Sequence, residues 1–208
     1  VVGTNAFSIN ANGDVGMYPL ISRFNHSCQP NAGTCENGNS LRCFAEADIK
    51  KGDEICVTYL SVDNALFLRP ASDRQDYLRR MKGFQCACVA CSLTGQDAQK
   101  DIVDRSIIFK LMSEMRQNAT KAVPDPGDLK VVERLFDMLE KVSFCCFKAK
   151  YHCTFSAFQL SMVKGDVKGA KMWITRCQKY TSIMFGDDSD RAKRNERYIK
   201  NPMSVFND

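Results

Sequence analysis

The sequence predicts an α+β protein in which a β-rich first half with short strands is followed by an all-helical second half. Two observations support this prediction. Up to about residue 60, apolar residues stand in short runs separated by turns such as residues 48–53, which is typical of short strands. Later they recur every three or four residues, as at Ile108 and Leu111, which is typical of amphipathic helices. We therefore predict two domains, residues 1–95 and residues 96–208.

The composition is that of an ordinary globular protein. With 208 residues, of which 44% are hydrophobic and 25% charged, the chain is long enough for one or two domains with cores of their own. The net charge of +5 is mild, and no basic stripe is interleaved with aromatic residues, so direct nucleic-acid binding is not favoured. No apolar run reaches the length of a membrane span, and no signal peptide is visible. We expect a monomer in the nucleus, the cytoplasm or both.

The first half contains the candidate strands. Residues 1–9 and 41–47 are rich in strand-forming residues, and residues 10–16 have the composition of a hairpin turn. Residues 34–38 are predicted as a connection. The stretch at residues 55–60 is nearly all apolar, so we expect a strand that is buried on both faces.

The second half contains the candidate helices, which follow a short helix predicted at residues 73–82. Turn and breaker residues separate them, and Asp128 and Gly186 are predicted to cap one helix and to stop another. Successive helices with short connections predict stacked helical hairpins, although no strict repeat period is visible. The predicted helices cover residues 102–115, 128–142, 151–163, 166–185 and 189–200.

Cysteine is unusually frequent, with 11 residues in the chain. A secreted disulfide scaffold is one interpretation, but the odd number and scattered positions favour a reducing compartment, one metal site and otherwise buried apolar thiols. Cys86, Cys88 and Cys91 form a Cys-x-Cys-x-x-Cys cluster that can wrap one ion. Zinc takes four ligands in a tetrahedron, so this cluster needs one more ligand from elsewhere in the chain.

Four stretches occur in an order that points to one family. Residues 23–31 read Arg-Phe-Asn-His-Ser-Cys-Gln-Pro-Asn, and residues 52–59 form a turn and an apolar strand that ends on a tyrosine. Phe84 follows, two residues before the cysteine cluster. Together these stretches resemble the C-terminal half of a SET-domain protein lysine methyltransferase with its post-SET zinc loop, and most of all the SET–MYND subgroup. The resemblance covers about residues 1–91, and it implies a repeat-like helical domain after them.

The resemblance implies a reaction and the residues that perform it. A methyl group would pass from the sulfonium of S-adenosyl-L-methionine to the amine of a lysine in a protein substrate, either histone or non-histone. Tyr59 would orient the amine beside the cofactor, and Asn25 and His26 would hold that cofactor. Phe84 would pack on the adenine, and Asn5 would line the same site. Without the resemblance, each of these residues has an ordinary structural interpretation.

The resemblance also supplies the missing metal ligand. It implies that Cys28, in the Asn-His-Ser-Cys stretch, completes a structural zinc site with Cys86, Cys88 and Cys91. Zinc would then fasten the cysteine loop onto the Asn-His segment and close one wall of a cofactor pocket. The alternative interpretation is that Cys28 is a buried thiol and the other cysteines are free.

Two parts of the family pattern have no counterpart in the sequence. These are the Gly-x-Gly strand turn that normally opens a SET domain and the MYND zinc module. We therefore expect the chain to be N-terminally incomplete and the methyltransferase activity to belong to a longer protein. The alternative is a catalytically inactive, zinc-stapled protein-interaction module.

Overall fold

The fold is known from a computed structural model, which describes most of the chain. Asn5 and residues 10–14 of the predicted hairpin turn lie outside the described residues. No helix within the described part is both long and apolar enough to cross a membrane. The described residues are 6–8, 15–37, 40–61, 65–121, 125, 127–144 and 146–207.

The chain divides into two compact units. One comprises Val1–Ser106 with Ser143–Cys145, and the other comprises Ile107–Val142 with Cys146–Asp208. The first unit contains the strands, and the second contains helices, so the predicted α+β class with a helical C-terminal part is confirmed. The predicted domain boundary after residue 95 stays a prediction.

The described strands are short and pair two by two. β1 and β2 are antiparallel, as are β4 and β5, whereas β3 and β6 run parallel. A short 3₁₀ turn, Ile21–Arg23, leads into β3. The strands are β1 (Ala6–Ser8), β2 (Val15–Met17), β3 (Asn25–His26), β4 (Ala32–Asn37), β5 (Ser40–Ala45) and β6 (Cys56–Val57).

The structure corrects two strand predictions. Residues 34–37 belong to β4 and are not a connection; this strand is mostly polar and lacks the apolar alternation that would have predicted it. The predicted strand at residues 55–60 shrinks to the two residues of β6. The reason is that backbone N–H groups after β6 bond to side chains: Tyr59 donates to His26 Nδ1 and Leu60 donates to Thr58 Oγ1.

Gly33 lies opposite Phe44 in the β4–β5 pair, in a position with no room for a side chain. A Cβ atom there would come within 2.7 Å of the Phe44 ring and 2.6 Å of Glu46 Oε1. We expect Gly33→Val to lower the free energy of unfolding by about 1–3 kcal/mol, because the buried ring would be displaced. Urea unfolding would measure this, with Thr34→Val as the control. An unchanged midpoint for Gly33→Val would contradict the close approach.

The described part of the chain contains seven α-helices, and those of the second unit pack in chain order. The last four helices pack as three successive pairs, each helix against its neighbour in the chain, as stacked helical hairpins do. The helices are α1 (Ala71–Lys82), α2 (Val89–Ser92), α3 (Gly95–Asn118), α4 (Asp128–Lys141), α5 (Phe147–Val163), α6 (Val167–Phe185) and α7 (Asp190–Lys200).

The ends of α6 agree with the sequence signals, whereas α3 and α5 begin at Gly95 and Phe147, earlier than the predicted starts at residues 102 and 151. The Asp166 carboxylate accepts a hydrogen bond from the Gly169 N–H at the start of α6, and the helix ends before Gly186. Asp128 was predicted to cap α4, but it is the first residue of the helix. Its buried carboxylate accepts from the Asp125 N–H (2.7 Å) and from Lys121 Nζ (2.8 Å) instead.

Candidate functional site

The site is built on the parallel pair of β3 and β6. Asn25 lies opposite Cys56 and His26 opposite Val57, and the Ser27 N–H donates to the Val57 carbonyl at 3.0 Å. The pairing places the Asn-His-Ser-Cys stretch alongside the strand that leads to Tyr59.

Asn31 and Glu54 fasten the two stretches further. Asn31 Nδ2 donates to the Glu54 carbonyl at 2.8 Å, and Asn31 Oδ1 accepts from the Cys56 N–H at 2.9 Å. The Asn25 amide donates to Glu54 Oε1 at 2.6 Å. Sequence reasoning gave Asn31 no role, although it lies at the end of the quoted stretch, because only the fold shows which backbone groups it reaches.

The His26 ring connects Tyr59 to Cys28. Nδ1 accepts a hydrogen bond from the Tyr59 N–H at 3.0 Å, so the proton of the neutral ring belongs on Nε2, which lies 3.3 Å from Cys28 Sγ. Burial lowers the pKa of His26 to about 4; Cys88 opposes this shift and the positive charge of Arg74 adds to it. The ring is therefore neutral at pH 7 and can donate to the sulfur.

Three rings form one corner of the site. The His26 and Tyr59 ring centroids are 5.3 Å apart, and Phe84 lies 6.0 Å from His26 and 6.3 Å from Tyr59, edge to face with the latter. The Tyr59 hydroxyl donates to the Phe24 carbonyl at 2.6 Å. Burial, and to a smaller extent the nearby Cys56, raises the pKa of Tyr59. The hydroxyl is therefore a neutral donor, and its oxygen can still accept a hydrogen bond.

Four cysteines lie next to this corner. The Sγ atoms of Cys28, Cys86, Cys88 and Cys91 are all within 4.8 Å of one another, and none of these residues forms a disulfide. The Sγ atoms of Cys91 and Cys28 are 3.5 Å apart. Four thiolates around one zinc ion at the usual Zn–S distance would be separated by about 3.8 Å. The cluster therefore has the size of a tetrahedral metal site.

Hydrogen bonds among these thiols favour negative charge at one of them. The hydrogen bonds that Cys88 accepts from the Cys28 and Cys91 thiols lower the pKa of Cys88. The same bond to Cys88 raises the pKa of Cys28. Burial raises the pKa of Cys86 to about 12. A divalent metal ion would displace the remaining protons, and an all-sulfur donor set suits zinc and excludes magnesium or calcium.

The backbone around the cysteines is held by side chains of α1 and by the loops themselves. Gln75 clamps the Cys86 peptide group, donating to its carbonyl at 2.5 Å and accepting from its N–H at 2.9 Å. The Cys28 N–H points at Cys88 Sγ, 3.3 Å away. Gln75 had no sequence signal, because a glutamine on a polar helix face is ordinary until its partner is known.

The structure brings most of the predicted site residues together. His26, Tyr59 and Phe84 lie at one corner, Asn25 precedes His26 on β3, and the four predicted metal ligands lie beside the corner. The predicted cofactor residue Asn5 lies outside the described residues, so its place stays a prediction.

Comparison with known proteins finds one matching family model and several similar proteins. Residues 4–60 match the SET domain. The chain is 27% identical to histone-lysine N-methyltransferase set5 of Schizosaccharomyces pombe over 91% of its length, and 32% identical to human histone-lysine N-methyltransferase SMYD3 over 50%. It is 23% identical to N-lysine methyltransferase SMYD2-B of Danio rerio over 88% of its length.

The matched part of the chain spans less than two thirds of each of these relatives: 58% of set5, 23% of SMYD3 and 45% of SMYD2-B. The match to the SET domain includes the Asn-His-Ser-Cys stretch and extends through Tyr59. Residues 4–60 are therefore a SET-domain segment, and the chain is related to the SET-domain protein lysine methyltransferases.

Proposed function

We propose that this chain is part of an S-adenosyl-L-methionine-dependent protein-lysine N-methyltransferase. The observation that carries the proposal is the aromatic corner of His26, Tyr59 and Phe84, set directly against four cysteines. In this proposal the corner is one wall of the cofactor pocket. The four cysteines hold a structural zinc ion that keeps the wall in place.

The reaction requires a neutral lysine amine. An ordinary lysine has a pKa near 10.4, so keeping it neutral at pH 7.4 costs roughly 4 kcal/mol unless the site lowers that pKa. A water-poor aromatic wall lowers it by desolvation, and a positive charge nearby lowers it further. S-adenosyl-L-methionine supplies an electrophilic methyl group on a positively charged sulfur.

Tyr59 is proposed to orient the amine. Its hydroxyl hydrogen is committed to the Phe24 carbonyl, so its oxygen is free to accept an N–H of the incoming lysine. That hydrogen bond aims the nitrogen lone pair along the line of methyl transfer, which is a positioning effect. The Tyr59 backbone N–H also donates to His26. Tyr59 is therefore held both at its backbone and at its hydroxyl.

Phe84 and the Asn-His segment are proposed to hold the cofactor. Phe84 is only half-buried, so part of its surface is open to a flat purine, and an aromatic face suits such a partner. Both ring nitrogens of the half-buried His26 already have partners, and Asn25 is exposed. These two residues are therefore proposed to bind the cofactor partly through their backbone groups. Asn5 keeps its proposed place on the same pocket.

The proposed substrate is a lysine side chain of a protein. The relatives named above are called histone-lysine or N-lysine methyltransferases, and the proposal includes both histone and non-histone targets. A nuclear or cytoplasmic location and a monomeric state belong to the same proposal.

Replacing Phe84 by alanine is expected to weaken binding of S-adenosyl-L-methionine to the intact protein about 5- to 150-fold, the usual effect of removing one base-stacking ring. Calorimetry would measure the dissociation constant. Phe206→Ala is the control, because Phe206 is 61% exposed and lies at the other end of the chain. Unchanged affinity in Phe84→Ala would contradict the adenine role.

The proposal as a whole is tested by incubating the intact protein with tritiated S-adenosyl-L-methionine and an extract of its source cells. Label on lysine side chains, identified after hydrolysis, is the expected result. An intact protein that neither binds the cofactor nor labels lysine would overturn the methyltransferase assignment. The zinc-stapled interaction module would then be the better description.

A further inference from the structure

Two arginines are buried behind the four-cysteine centre. The Arg74 and Arg105 side chains are 0% and 1% exposed, and both guanidinium groups approach the same carboxylate, that of Asp101. Burying one guanidinium without compensating charge is costly, and here two share one partner. The arrangement therefore has a surplus of positive charge that needs a further partner.

Arg74 links α1 to the cysteine loop. Its guanidinium donates to the Arg69 carbonyl at 2.6 Å and to the Ala90 carbonyl, between two of the cysteines, at 3.4 Å. It is 3.7 Å from Asp101, and its Nε has no hydrogen-bond partner among the described atoms. Burial acts to lower the pKa of Arg74, but the Cys28 and Cys91 sulfurs and Asp101 raise it by more.

Arg105 links α3 to the other side of the same centre. Its Nε donates to both Asp101 oxygens, at 2.9 and 2.8 Å, while its two terminal nitrogens donate to the Phe67 carbonyl (2.5 Å) and the Cys28 carbonyl (3.2 Å). Its guanidinium also lies 4.0 Å from the Phe144 ring centroid. Arg105 therefore holds the backbone carbonyl of Cys28, the ligand that lies outside the Cys-x-Cys-x-x-Cys cluster.

The charges of the two groups are complementary. A zinc ion with four thiolate ligands carries a net charge of about −2, and its neighbours tune how well it is held. Arg74, Arg105 and Asp101 together carry a net positive charge. The two arginines contact the cysteine centre through the Ala90 and Cys28 carbonyls. We propose that Arg74 and Arg105 are positioning residues that stabilise the metal-loaded centre by supplying its counter-charge. This inference rests on the zinc site of the proposed function.

The test measures zinc content and zinc release in the intact protein. A colorimetric chelator would report release at 25 °C, and circular dichroism would confirm the fold of each variant. We expect Arg74→Met to release zinc about 10- to 100-fold faster than the wild type, because losing an outer partner of a metal site usually lowers the metal affinity by that factor. Arg74→Lys, which keeps the charge, is expected to recover most of the loss. The control is Arg79→Met on the same helix, since the Arg79 side chain is 61% exposed.

Arg105→Gln gives an independent measurement if Arg74→Met does not fold. It removes the charge but keeps a donor for the Cys28 carbonyl, and faster release is again expected, with Lys100→Met as the control on α3. Zinc in the wild type with unchanged release in the folded arginine variants would overturn this inference alone. A wild type without zinc would overturn the zinc assignment and this inference with it.

Discussion

Replacing Cys88 by serine in the intact protein is expected to abolish zinc binding and to lower the free energy of unfolding by more than about 4 kcal/mol, as loss of a structural metal does. Cys88 is the central sulfur of the site, because it accepts hydrogen bonds from the Cys28 N–H and from the thiols of Cys28 and Cys91. A serine oxygen is a poorer ligand for zinc, and it leaves the neighbouring thiols without their shared partner.

Atomic absorption would measure the zinc content, and thermal unfolding followed by circular dichroism would measure stability. Cys43→Ser is the matched control, since Cys43 is a half-buried cysteine on β5 outside the cluster. The control should keep both its zinc and its melting temperature. Full zinc content in Cys88→Ser would mean that the cluster is not the metal site.

Replacing Tyr59 by phenylalanine is expected to slow methyl transfer by the intact protein about 100-fold or more, because the amine loses the oxygen that orients it. The ring contacts with His26 and Phe84 remain, and the Tyr59 N–H still donates to His26. The lost hydrogen bond to the Phe24 carbonyl costs about 1 kcal/mol of stability, which is too little to unfold the protein.

The measurement is the initial rate of label transfer to lysine, beside the cofactor affinity and the melting temperature. Tyr77→Phe on α1 is the control and should transfer at the wild-type rate. A Tyr59→Phe protein that keeps the wild-type rate would remove Tyr59 from the reaction, even if zinc and cofactor still bind. The outcome therefore separates this role from that of the cysteine centre.

The parts of the site that could be predicted are those encoded by local spacing or by family resemblance. Cys86, Cys88 and Cys91 lie in one loop, so their spacing alone indicates a shared ion. The resemblance added Cys28, which no spacing rule could supply because it lies some 60 residues away. The helices were predictable for the same local reason: a buried face repeats along a helix, and capping residues mark its ends.

The rest depends on contacts between distant stretches. The predicted length of β6 is too great because an apolar run does not reveal that the N–H groups of Tyr59 and Leu60 bond to side chains. Arg74 and Arg105 are ordinary helix residues in the sequence, and their burial is apparent only when both meet Asp101. A tight position such as Gly33 is likewise defined by its cross-strand neighbour Phe44.

The residues of the cysteine centre are far apart in the sequence, so they are synthesised at different times. The contacts of Cys28 join it to residues 60 and 77 positions further along the chain. At 5–20 residues per second, Cys28 leaves the ribosome about 3 to 15 s before its partners. During that interval the Cys28 thiol lacks the other three cysteines of the cluster, although β6, the pairing partner of β3, is made earlier. The four cysteines therefore cannot come together until Cys91 has been made, and the Arg105 contact to Cys28 follows later still.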